Sequence, residues 1–127
     1  MKIVICILAG LLLMGCSGLP SQVELAQNNE WQQIGILDGQ AGNYQKAKPE
    51  LTKLNALSKA AYEEYKQGYF KGIEQFCQPA ESYQRGMDGL MYNGQCANTQ
   101  QEDITVQQWN EGYEYYVLDS AFVFNDD

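Results

Sequence analysis

Glycine recurring at a helical interval on an apolar face is the feature that most narrows what this chain can become. Gly35 and Gly39 stand four apart, and so do Gly68 and Gly72. The first pair lies in a stripe of Trp31, Ile34, Gly35, Asp38, Gly39 and Gly42 at steps of three and four. The second lies in the longer stripe Ala61, Tyr62, Tyr65, Gly68, Tyr69, Gly72, Ile73 and Phe76. Both have the period of an α-helix with one buried face. Glycine inside a helix costs up to about 1 kcal/mol against alanine, so its repetition on the inward stripe calls for a compensating contact. A side chain of one hydrogen lets two backbones approach closely. The pattern therefore predicts an all-α fold in which two helices cross at these glycines, with Trp31, Tyr65 and Tyr69 packed around the crossing.

Capping signals place the boundaries. Asn28 and Asn29 are good helix caps and Glu30 suits a first turn, while Gly42-Asn43 ends the first helix. Pro49 fits the first turn of a short helix carrying Leu51 and Leu54. Ser58 then caps the longest stripe, which delivers Cys77 at its end. Pro79 stops that helix and opens the next, with Ala80, Tyr83, Met87, Leu90 and Met91 at helical spacing up to Asn93-Gly94. Residues 97–103 read as a linker, and Thr105 with Gln108 resembles a capping box. Beyond it Val106, Trp109, Tyr113, Tyr116, Val117 and Phe124 follow a helical stripe, but 115–118 and 121–124 are β-prone runs that leave short strands open. An aromatic three residues before a glycine occurs at Tyr65-Gly68, Tyr83-Gly86 and Trp109-Gly112. That hints at repeated helical hairpins, although the unequal separations speak against a solenoid.

The amino terminus carries a different signal. Lys2 precedes an apolar run from Ile3 to Leu13, too short for a spanning helix of roughly twenty apolar residues and suited to a secretory signal. It ends in Leu13-Met14-Gly15-Cys16, which resembles the lipobox of bacterial lipoproteins. The resemblance implies cleavage before Cys16, diacylglycerol on its thiol and acylation of the new amine. Two or three chains there would anchor stably, since each buried methylene contributes about 0.8 kcal/mol. Ser17, in place of an aspartate, favours by the same resemblance the outer membrane, facing the periplasm. The expected organisation is a signal over residues 1–15, a tether over 16–28 that leaves room for a loose turn of helix after Ser21, a helical domain over 29–96 and an acidic, aromatic extension over 97–127. With Cys6 lost in the signal and Cys16 lipidated, Cys77 and Cys96 remain in an oxidising compartment and are expected to pair. The rival reading, a metal pair, has no histidine to complete it.

Charge and missing residue types limit the function. The chain holds 8 basic and 16 acidic residues and no histidine. Such a surface argues against nucleic acid and against adsorption to anionic headgroups. Absence of histidine removes Ser-His-Asp and Cys-His catalysis. An enzyme here would run on carboxylates, with Asp38, Asp88 and Glu74 as candidate acids of the kind glycan hydrolases use. The plainer reading pairs the aspartates with Arg85 or a backbone turn. Among the nine tyrosines, those off the clean stripes are surface candidates: Tyr44, Tyr92 and, in the extension, Tyr113, Tyr115 and Tyr116.

From Trp31 to Cys96 the chain resembles the family known as Domain of Unknown Function 2799, found in small Gram-negative lipoproteins. The match is carried by Trp31, Ile34-Gly35, Asp38-Gly39 and Gly42, by Tyr65, Gly68, Gly72 and Phe76-Cys77, and by Pro79-Ala80, Tyr83, Gly86, Gly89, Tyr92 and Gly94-Gln95-Cys96. It implies a shared helical scaffold and compartment but no activity. Family members often carry further cysteines early in the domain and near residues 51–57; both places lack one here, so a second bridge is not expected. Taken together, the expectation is a non-enzymatic envelope lipoprotein without cofactor or metal. It is held by lipid on Cys16 and binds another envelope protein through Tyr113, Tyr115 and Tyr116. The alternatives are a carboxylate enzyme acting on cell-wall glycan and a purely structural lipoprotein.

Overall fold

The computed structural model describes residues 18–123, and within them every regular element is a helix. The expected signal, with Cys6, and also Cys16 and Phe124 lie outside the described residues. The six helices are α1 (Gln22–Gln27), α2 (Trp31–Gln40), α3 (Lys48–Lys53), α4 (Lys59–Phe76), α5 (Pro79–Met87) and α6 (Glu102–Val123). They pack chiefly as two pairs, α2 on α4 and α5 on α6, with α1 laid against α2.

The crossing of α2 and α4 is built from the four glycines. A methyl group on Gly35 would overlap the Tyr65 carbonyl oxygen, and one on Gly68 would overlap the Gln32 carbonyl oxygen. Gly39 and Gly72 repeat the relation one turn on, against Tyr69 and Ile36. Approach this close replaces side-chain packing with backbone contact, a setting in which Cα–H groups meet carbonyl oxygens. Because Gly35 faces Gly68 and Gly39 faces Gly72, the two helices run in the same direction, and the segment containing α3 carries the chain back between them. Trp31, Ile34, Tyr65, Tyr69 and Ile73 are buried around the crossing.

Several boundaries differ from the expectations. The turn of helix allowed after Ser21 is α1, formed and packed rather than loose, and fixed by a reciprocal cap in which Ser21 Oγ accepts from Glu24 N at 3.2 Å and the Glu24 carboxylate accepts from Ser21 N at 2.8 Å. Leu25 and Ala26 are buried, so the folded unit begins at Gln22 rather than 29. Asn28 and Asn29 close α1 instead of opening α2: Asn29 takes φ of 57°, and Glu30 is the N-cap of α2 without a side-chain bond. Ser58 caps α4 as expected, accepting from Ala61 N at 3.1 Å.

The carboxy-terminal half departs further. α5 ends at Met87, followed by Gly89 with φ of 80°. Its inward residues are Ser82 and Gly86, while Ala80, Leu90 and Met91 are exposed. Of the two forms left open for the tail it takes the helical one, Glu102–Val123 after a turn at 97–101, and it belongs to the folded unit: Thr105, Trp109 and Gly112 are all buried. Thr105 does not cap α6. It lies inside the helix and donates its hydroxyl to the Cys77 carbonyl at 2.7 Å.

Cys77 is thus the joint between the two pairs. Its disulfide to Cys96 spans a separation of 19 residues, and the pairing rules both cysteines out as metal ligands. Beside it the Trp109 ring packs on Phe76 (6.0 Å between centroids) and Tyr92 (5.5 Å), and the indole N–H donates to the Leu90 carbonyl at 2.6 Å. Arg85 lays its guanidinium 3.9 Å above the Phe76 ring and donates to the Phe76 carbonyl at 2.8 Å. It therefore pairs with neither aspartate.

Candidate functional site

The three candidate acids are not brought together. Asp38 is buried, and each of its oxygens is occupied: Gln22 donates to Oδ1 at 2.8 Å, while Tyr65 (2.8 Å) and Lys46 (2.5 Å) donate to Oδ2. The Tyr65 hydroxyl in turn accepts from Lys46 N at 2.9 Å. A carboxylate this fully bonded ties α1, α2, α4 and the loop before α3 to one point. Glu74 is exposed on α4, beside a shallow pocket that it shares with Cys77, Gln78 and residues 99–101. Asp88 is the exposed C-cap of α5 and accepts from Gln84 at 2.9 Å. Five surface pockets among the described residues hold at most one carboxylate each, whereas glycan hydrolysis by two carboxylates needs a facing pair.

The aromatic candidates divide differently. Tyr92 is half-buried against Trp109, and Tyr44, though 64% exposed, anchors its hydroxyl on the Asn93 carbonyl at 2.6 Å. Tyr113 is half-buried, and its ring lies 6.0 Å from that of Tyr116. The Tyr116 ring covers Gly89, coming within 2.8 Å of where a β-carbon would stand. Tyr115 points elsewhere and is 55% exposed.

What lies beside Tyr115 is the more telling feature. α5 ends at Met87, and α6 runs past its partner's end. Over 114–119 every residue of α6 is exposed. Tyr115, Leu118 and Phe122, at spacings of three and four, form an apolar stripe on the helix, with Leu118 61% and Phe122 75% exposed. That stripe lies on a different side from Trp109, Gly112 and Tyr116, which face α5. A shallow depression of about 270 Å³ runs along it, bordered by Asp119. The whole helix carries Glu102, Asp103, Glu111, Glu114 and Asp119 and no basic residue. Sequence reasoning singled out the tyrosines but missed Leu118 and Phe122, because the β-prone composition of the run obscured a helical spacing that was already legible.

Burial raises the pKa of Tyr65 from its ordinary value; the Lys46 amide opposes this, and Asp38 adds to it. Tyr69 is also raised, chiefly by burial. Both therefore stay neutral through the physiological range and act as hydrogen-bonding struts rather than reactive groups.

Fold and surface together define a small disulfide-stapled helical domain with an uncovered acidic, apolar helix end. The chain belongs to the family described as "Protein of unknown function (DUF2799)", which matches residues 30–114. The match runs past Cys96 and takes in the part of α6 that packs on α5, so the likeness does not end at Cys96 as the sequence resemblance had it. No curated protein and no solved structure matches the chain.

Proposed function

We propose that the chain is a lipoprotein anchored by Cys16 in the bacterial envelope, without catalytic activity of its own, and that it binds another envelope protein through the free end of α6. The observation that carries the reading is the stripe Tyr115, Leu118 and Phe122, exposed on a helix already tied to the core by Trp109 and Thr105. An apolar helix face held rigid on a folded base is a helix-in-groove ligand, read by its partner through anchors three and four residues apart. With five carboxylates and no cation on α6, the complementary groove is apolar with a basic rim.

The anchor is supported by the lipobox-like residues 13–16 and by the placement of α1, which opens the folded unit only six residues after Cys16. Among the described residues no helix is long and apolar enough to cross a membrane.

Two measurements test the proposal. Intact mass of protein extracted from membranes should show a chain beginning at Cys16 and carrying lipid. Mild crosslinking followed by capture should then return one reproducible envelope protein with the parent chain, and lose it with Leu118→Asp and with Phe122→Asp. Capture that survives both substitutions would place the interface elsewhere.

A further inference from the structure

The chain is acidic as a whole, with a formal charge of −8, yet its few cations are not spread evenly. Four of its lysines, Lys46, Lys48, Lys59 and Lys66, line one open groove of about 390 Å³ between the loop before α3 and the first half of α4. Tyr62 forms part of the wall, and Lys48 holds its ammonium 5.0 Å above that ring. One carboxylate, Glu63, shares the lining. Nearby Glu50 is occupied locally, accepting from Ala47 N at 2.7 Å. Lys46 is neutralised by Asp38, so Lys48, Lys59 and Lys66 stand against two carboxylates, Glu63 in the lining and Glu50 beside it, and leave a small excess of positive charge.

Its position relative to the chain's start gives that charge a meaning. Gln22, the first residue of α1, and Lys46, at the groove's edge, bond to the two oxygens of the same Asp38. The start of the folded unit and the basic groove are therefore neighbours. Gln22 is the sixth residue after Cys16, a reach of at most about 20 Å when fully extended. A chain anchored at Cys16 would hold this groove close to the headgroup layer, inside or near the range of roughly 10 Å over which charge acts at moderate salt.

We propose that the lysine groove binds the phosphate groups of anionic phospholipid headgroups, and so seats the domain on the membrane beside its own anchor. The inference rests on the Cys16 anchoring described above. Net charge alone argues against such adsorption, but the field at a surface is set by the nearest charges, and lysines outnumber carboxylates in this groove. The same membrane field repels the five carboxylates of α6.

The test uses residues 16–127 with Cys16→Ser, so that no lipid is attached; all the contacts described above lie within this span. Sedimentation with phosphatidylglycerol vesicles should show binding that phosphatidylcholine vesicles do not give, and that fades as salt is raised. Each lysine near an anionic surface is worth about fivefold in partition, so Lys48→Gln, Lys59→Gln and Lys66→Gln together should weaken it at least tenfold. Lys71→Gln, an exposed lysine outside the groove, should leave it unchanged. Equal binding to both vesicle types, or binding to phosphatidylglycerol that the triple variant keeps, overturns the proposal. So does saturable binding of soluble glycerol phosphate without vesicle binding, which would mean a small-molecule pocket. Failure of the anchor would show separately, as an unlipidated mass.

Discussion

Gly86 on α5 and Gly112 on α6 face each other across the second helix crossing as Gly35 and Gly68 do across the first. A β-carbon on Gly86 would fall on the Trp109 carbonyl oxygen, and one on Gly112 on the Tyr83 carbonyl oxygen. In both crossings the atom struck belongs to the residue three before the opposing glycine. The obstacle is backbone within a helix, which cannot swing aside as a side chain would. Gly35→Ala and Gly112→Ala should each destabilise by about 1–3 kcal/mol, the usual range for overpacking, despite a gain of nearly 1 kcal/mol in helix propensity. Gly18, with nothing within 4 Å, should accept alanine without loss. Urea denaturation of the three variants checks this; a more stable Gly112→Ala chain would mean that the α5–α6 crossing is looser than described.

The cluster around Asp38 should be structural in its energetics. Asp38→Ala takes the acceptor from Tyr65, Gln22 and Lys46 at once. Lys46 is partly exposed and regains water, so the loss falls mainly on the Tyr65 hydroxyl and on Gln22, at about 2–3 kcal/mol. Tyr65→Phe removes one donor to Asp38 and the acceptor of the Lys46 amide, for roughly 1–2 kcal/mol. Because the two substitutions break the same bond, their costs should not add, and a double-mutant cycle reads the coupling. Full additivity would contradict the shared hydrogen bond.

Alkaline pH should unfold this protein through its tyrosines. In the folded chain Tyr65, Tyr69 and Tyr92 are raised above the ordinary value, in each case first by burial. For a group raised on folding, the stability it contributes is complete below the unfolded pKa, near 10. It is then lost as pH climbs from there through the folded value. Tyrosinate absorbance at 295 nm should show a late class that ionises together with unfolding; in denaturant all nine tyrosines should titrate as one. A single class in the folded protein would refute the buried placement of Tyr65 and Tyr69.

Reduction should act through the joint at Cys77. Opening a loop of 19 residues removes roughly 3 kcal/mol in the chain-entropy account. It also loosens the turn whose Cys77 carbonyl accepts from Thr105. Tryptophan fluorescence during urea unfolding, from Trp31 and Trp109, should therefore show a lower midpoint with reductant present, and alkylation should label Cys77 and Cys96 only after reduction. An unchanged midpoint would show that the core holds without the staple.

The α2–α4 crossing was legible because its spacing carries its own explanation: glycine at i and i+4 inside an aromatic stripe has few uses other than close approach. Cys77 with Cys96 was legible by elimination. Asp38 was not. Its partner Lys46 sits in a loop, eight residues on, where no periodicity applies, and only the fold places Tyr65 and Gln22 on its oxygens. Thr105 misled for a similar reason, since Thr-x-x-Gln reads as a cap wherever it occurs, and burial against Cys77 is a tertiary fact. On α6 the β-branched and aromatic content of 115–118 competed with its helical spacing, and packing of Trp109 and Gly112 on α5 decided for helix. The grouping of four lysines depends on how the loop before α3 folds back on α4, which no local pattern encodes.

Tyr115 and Tyr116, adjacent in sequence, should separate binding from stability. In a helix neighbours point about 100° apart, and here one ring lies on Gly89 while the other faces solvent. Gly89 takes φ of 80°, so the turn after α5 is shaped by glycine and roofed by the Tyr116 ring. Tyr116→Ala should uncover that turn and cost about 1 kcal/mol, less than a full core truncation because the side chain is 42% exposed. Tyr115→Ala should change stability by no more than about 0.5 kcal/mol while weakening capture of the partner, since Tyr115 heads the stripe completed by Leu118 and Phe122. Thermal melts and quantitative capture on the same two variants decide the matter. If Tyr115→Ala destabilises and Tyr116→Ala abolishes capture, the two faces of α6 have exchanged roles and the partner covers the Tyr113–Tyr116 side instead.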